Sequence, residues 1–114
     1  MKILILEDST SRINVFIEKF CEHDLTITEN ANSAIEHIDE GVFDYIFLDN
    51  DLGDGNGCGA DVAAYLYNNP DNPNNESNII IHSWNTPAAS AMASRLPQAI
   101  FVPFGSDVFF EIHL

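Results

Sequence analysis

Apolar runs in this chain stop abruptly on polar groups: "KILIL" ends at Glu7-Asp8, "YIFL" at Asp49, and "III", residues 79–81, at His82-Ser83. A short unbroken apolar run suits a strand covered on both faces, as in a parallel sheet, rather than a half-solvated strand with alternating polarity. Residues 25–28 and 99–102 read as two further strands. Between the runs the apolar spacing changes to that of helices. Ile13, Phe16, Ile17 and Phe20 form one stripe, Ala34, Ile35 and Ile38 a second, and Val62, Ala63 and Leu66 a third, with a fourth helix at 87–96. Strands alternating with helices imply βαβ units and a parallel sheet with helices on both faces.

Local signals place the boundaries. Ser9 or Ser11 is positioned to cap the first helix, Ser33 with Glu36 fits a capping box for the second, and Gly41 stops it. Residues 68–78, "NNPDNPNNESN", read as a polar loop, and 107–114 as too short for a full closing helix. With 114 residues and 46% hydrophobic content, residues 1–114 are expected to form one domain around a real core. Uncovered apolar residues at Phe109, Phe110 and Ile112 suggest a homodimer through that end.

Charge narrows the partners. Eighteen acids against four Lys and Arg give a formal charge of -14. Neither a nucleic acid nor an anionic membrane suits such a surface, whereas divalent cations and basic proteins do. No run approaches the roughly 20 apolar residues that span a bilayer, and "MKILILEDS" lacks the features of a secretory leader. Cys21 and Cys58 have neither metal-site spacing nor a disulfide framework and read as reduced thiols, so a cytoplasmic location is expected.

The stretch "FLDNDLGDGNGCGAD", residues 47–61, carries the densest chemistry. It is not an EF-hand: counted from Asp49, position 5 is Gly53 and position 6 is Asp54; counted from Asp54, position 12 is Tyr65. "GNGCGA" formally fits a dinucleotide fingerprint, but Asp49, Asp51 and Asp54 beside it would repel a pyrophosphate and no P-loop lysine is present. Its glycines fit a βα loop with positive φ angles.

In parallel α/β sheets, ligands bind outside the carboxyl ends of the strands. Glu7, Asp8 and Asp49 fall there together. Carboxylates so close repel unless a cation lies among them, and a few carboxylates with room for water and phosphate oxygens suit Mg2+. Caps for the following helices are the alternative role for Asp8 and Asp49. Asp51 is a further metal ligand or base. His82 has the pKa range of a general acid or base, and Ser83 and Asn85 can donate hydrogen bonds to phosphoryl oxygens. Trp84 either lines this pocket or covers the sheet edge.

An acidic pair in "ILILEDS", an aspartate in "YIFLDND" and a hydroxyl residue in "IIIHS" resemble the receiver domains of response regulators, across nearly the whole chain. The resemblance implies a flavodoxin-like three-layer fold, strand order 2-1-3-4-5, with the last helix truncated. It also implies Asp49 as phosphoacceptor, Mg2+ held by Glu7, Asp8, Asp49 and the Asp51 backbone, and Ser83 on the phosphoryl oxygens. The usual lysine after strand five is Val102 in "VPF". "LDNDLGDG" followed by "IHSWNTPAASAM" more narrowly resembles the receiver-derived group of bacteria and phages proposed to process cyclic phosphates. That resemblance implies a domain with a Mg2+-binding acidic pocket that recognises or processes a phosphorylated small molecule, a cyclic phosphate among the options; as a Mg2+-dependent phosphoesterase it would use Asp49, His82, Ser83 and Asn85. A decayed scaffold that binds a basic protein, and a phosphorelay receiver, are the alternatives.

Overall fold

The computed structural model describes residues 1–114. Strands β1 (Lys2–Leu6), β2 (Asp24–Thr28), β3 (Tyr45–Leu48), β4 (Asn78–Ile81) and β5 (Ile100–Phe101) form one parallel sheet in the order β2-β1-β3-β4-β5. Helices α1 (Thr10–Lys19), α2 (Ala31–Glu40), α3 (Gly59–Asn68), α4 (Thr86–Arg95) and α5 (Asp107–Phe110) cover it. This is a flavodoxin-like fold, with α5 reduced to four residues. No helix is long and apolar enough to cross a membrane.

The unbroken apolar runs follow from burial on both faces. Ile3, Leu4, Ile5 and Leu6 are all fully buried, but alternate residues serve different cores. Leu4, Leu6, Ile46, Leu48, Ile79 and Ile81 meet α2, α3 and α4 through residues such as Ile38, Leu66 and Met92. Ile3, Ile5, Phe47 and Ile80 face α1 and α5 through Phe16, Phe20 and Phe109. Phe16 is the hub of this second core, with ring centroids 5.3 Å from Phe47 and 5.5 Å from Phe109, both edge-on.

Three local expectations change. The cap of α2 is Asn30, whose Oδ1 accepts from the Ser33 N–H at 2.8 Å, so Ser33 lies inside the helix and forms no capping box with Glu36. Asparagine in extended backbone one turn earlier satisfies the same orphan donor. The polar stretch at 68–78 contains a short 3-10 turn, Pro73–Glu76, with Asn74 fully buried. Asn74 Nδ2 donates to the carbonyls of Ile38 and Gly41, and its Oδ1 accepts from Phe43 N–H, so this loop is stitched to the end of α2. Near the C-terminus, Phe109 is not uncovered: the single turn of α5 drives it into the α1-side core while Phe110 stays 55% exposed.

Candidate functional site

The sheet register builds the site. Leu6 pairs with Leu48, Leu48 with Ile81, and Ile81 with Phe101. One residue further on, Asp49 N–H donates to Leu6 O, His82 N–H to Leu48 O and Val102 N–H to Ile81 O, at 2.9–3.1 Å. Glu7, Asp49, His82 and Val102 therefore form a row across the strand ends, on the α1 side of the sheet. Glu7, Asp49 and His82 are all buried, and each offers a ligand atom within 4.8 Å of the others.

His82 sits behind Glu7, not in the open mouth. Its ring is fully buried, with centroids 5.1 Å from Phe16 and 6.4 Å from both Phe47 and Phe104. Its Nε2 is 3.1 Å from Glu7 Oε1, and its Nδ1 has no hydrogen-bond partner. Burial holds the imidazole below its ordinary pKa, outweighing the Glu7 carboxylate that favours the charged form. A neutral ring protonated on Nε2 then donates to Glu7 and leaves only a lone pair facing the aromatic cage, a tautomer assigned from this network. Burial would raise Glu7. The bond to His82, the Ser9 N–H at 3.1 Å on Oε2 and the nearby Arg12 charge prevail and hold it below the usual carboxylate range.

Asp49 receives less help. Its Oδ1 accepts from Asn50 N–H at 2.8 Å, but burial and the Glu7 charge push its pKa up to about 7. Asp8, half-buried, is also raised, by burial and then by Glu7. The site holds one guanidinium, Arg12, against four carboxylates. Glu7, Asp8, Asp49 and Asp51, with Ser9, Arg12 and Trp84, line a cavity of about 300 Å3.

The loop after β3 is shaped by glycine. Gly53, Gly55 and Gly57 all have positive φ, as read from sequence. Gly59 is required for a different reason: a Cβ there would lie 2.0 Å from Asp49 O. That contact lets α3 start directly beneath Asp49, with Gly59 N–H donating to Asn50 O.

Ser83 and Asn85 lie on the α4 side and do not line the cavity. Ser83 is fully buried and its Oγ accepts from Asn85 N–H at 3.0 Å. Asn85 caps α4 by accepting from Ala88 N–H, and its Nδ2 donates to Asp51 Oδ1 at 3.3 Å. Asn50 Nδ2 donates to the same oxygen at 3.2 Å, so two amides aim the Asp51 carboxylate. Trp84 is 59% exposed and lines the cavity, with Nε1 donating to Phe104 O at 2.8 Å.

Sequence reading missed Arg12 as a lining residue and missed the Glu7–His82 pair. Counting alternate residues from in-register strands would have found the pair, because Glu7, Asp49 and His82 share one parity with Ile5, Phe47 and Ile80.

A parallel sheet in this order with acids at its central strand ends defines a receiver domain of the response-regulator type. Solved structures agree in fold. The phosphorylated cyanobacterial phytochrome response regulator RcpA superposes with a TM-score of 0.78 at 16% identity, over 96% of this chain and 86% of that one. The response regulator TrrA from Thermotoga maritima, in complex with Mg2+ and BeF, gives 0.73 at 18% identity, over 96% and 93%. The Mn2+-bound form of response regulator Rcp1 gives 0.76 at 18% identity, over 96% and 86%. Among curated proteins none matches in sequence. The model of the cyclic-phosphate processing receiver domain matches residues 2–98, and the chain belongs to that family.

Proposed function

We propose that this receiver-like domain binds a divalent cation, Mg2+ by preference, in the acidic cavity and there recognises or processes a phosphorylated small molecule. The observation that carries the reading is the in-register row of Glu7 and Asp49, with Asp49 raised to about 7 by burial and by Glu7. A carboxylate so disfavoured as an anion is relieved by a cation beside it. The donors fit a hard ion: Glu7, Asp8, Asp49 and Asp51 offer oxygens to the cavity, while His82 Nε2 is occupied by Glu7. When bound, such an ion polarises a phosphoryl group and offsets its charge. The chain's own groups do the rest. His82 acts as a positioning residue that fixes Glu7. Asn85 and Asn50 orient Asp51 as a ligand or proton acceptor, and Ser83 sets the turn that carries Asn85. Asp49 is the candidate acceptor or base at the cavity floor.

The test is a Mg2+ titration followed by Trp84 fluorescence, with Asp49→Asn as control. A saturable change in the parent protein, absent in the variant, supports the reading. If calorimetry also shows no Mg2+ uptake by the parent protein, the reading fails.

A second reading rests on a separate observation. Phe101, Val108 and Phe110 are 45–57% exposed at the β5 and α5 end. Such residues favour a protein contact there, with a basic protein or a second copy of this acidic chain. Light scattering at tens of micromolar tests the homodimer; a strict monomer removes it.

A further inference from the structure

We propose that Arg12 is the anion-binding residue of the acidic cavity: the phosphoryl group of a ligand docks against its guanidinium, which rises from the first turn of α1. This rests on the reading of the cavity as a cation and phosphoryl site, and adds the residue that tolerates the anion. The chain has only four lysines and arginines. Lys2 lies over the Phe43 ring, Lys19 donates to Phe110 O, and Arg95 ends α4. Arg12 alone lines the cavity.

Arg12 is held but not consumed. Its guanidinium carbon is 5.0 Å from the Phe104 ring centroid, and Phe104 is fixed in turn by its N–H to His82 O and by Trp84 Nε1 on its carbonyl. That shelf orients the planar fork. Arg12 Nη1 is 3.7 Å from Glu7 Oε1, too long for a hydrogen bond, so its donors remain available to another acceptor. Its position also works against the helix: a cation in the first turn opposes the macrodipole. Packing alone would be served by an uncharged chain of the same length.

Charge balance supplies the need. Four carboxylates line the cavity, Glu7, Asp8, Asp49 and Asp51. With Arg12 and one divalent cation, a single net negative charge remains; without Arg12 there would be two, facing an incoming anion. Val102, the β5 member of the strand-end row, offers none. The same count predicts opposite effects on the two ions. Removing Arg12 strengthens cation binding and weakens phosphate binding.

The experiment uses calorimetry with Mg2+ alone, then inorganic phosphate at saturating Mg2+, on the parent protein, R12M and R12K. Methionine preserves contact with Phe104, and thermal melts check that both variants fold. Expected for R12M is Mg2+ affinity unchanged or several-fold tighter, with phosphate affinity roughly 10- to 100-fold weaker; R12K falls between. Equal phosphate affinity in R12M and the parent overturns the proposal, as does weakening of both ions together in folded R12M and R12K, which marks a structural role. If the parent takes up no Mg2+, the parent reading fails. Metal-free phosphate binding that is lost in R12M would still uphold Arg12.

Discussion

Asp49→Asn should make the metal-free protein more stable at pH 8, although it alters a buried residue at the centre of the site. In the folded chain Asp49 titrates near 7, against an ordinary value of 3.8. A carboxyl raised on folding stabilises the native state when protonated; that contribution is fully present below pH 3.8 and is lost as pH rises through 7. Holding Asp49 ionised at pH 8 would cost about 4 kcal/mol unscreened, at about 1.4 kcal/mol per pH unit. The cavity opens to water, so screening reduces this to about 1–2 kcal/mol. Asparagine keeps the shape and its Oδ1 still accepts from Asn50 N–H. The melting temperature should rise by roughly 4–8 °C at pH 8. The gain should shrink toward pH 4, where the parent carboxyl is itself neutral. Saturating Mg2+ should erase or reverse the gain, because only the parent site is stabilised by the ion. Thermal melts across pH, with and without Mg2+, read all three. A variant less stable than the parent at pH 8 without metal would refute the reasoning, since Asp49 would then be contributing as an anion.

Other outcomes follow from the same geometry. Mg2+ affinity should rise between pH 6 and 8 as the ion competes with the Asp49 proton, and uptake near pH 7 should release protons, measurable by calorimetry in buffers of different ionisation enthalpy. His82 and Glu7 are both lowered on folding, so their stabilisation is present above their ordinary values of 6.5 and 4.5 and is lost as pH falls through the depressed ones; urea melts should show acid weakening below about pH 6 from this pair, partly offset by Asp49. His82→Ala leaves the Glu7 carboxylate without its closest side-chain donor and opens a void among Phe16, Phe47 and Phe104, so a loss of about 3–5 kcal/mol is expected in urea melts. Gly59→Ala forces Asp49 O and the start of α3 apart, costing about 2–4 kcal/mol and weakening Mg2+ binding in the same sample.

The sequence by itself determined the layers, the strand ends and the acids on them. Runs such as "KILIL" and "YIFL" are apolar without alternation because both faces are covered, and this physical fact is written in local composition. The positive φ of the loop glycines was legible for the same reason: their constraint is local. Which side chains meet was decided only in three dimensions. His82 and Ser83 are neighbours in sequence but serve opposite faces, one buried behind Glu7 and the other turning the chain into α4. Strand parity could suggest that split, but only the pairing of β1 with β3 and β3 with β4 puts Glu7, Asp49 and His82 in one row. Arg12 carries no motif; it enters the cavity because α1 starts directly after the acidic pair and Phe104, from beyond β5, lies beneath its guanidinium. Contacts between segments so far apart in sequence depend on sheet register and helix placement, which local residue patterns do not encode.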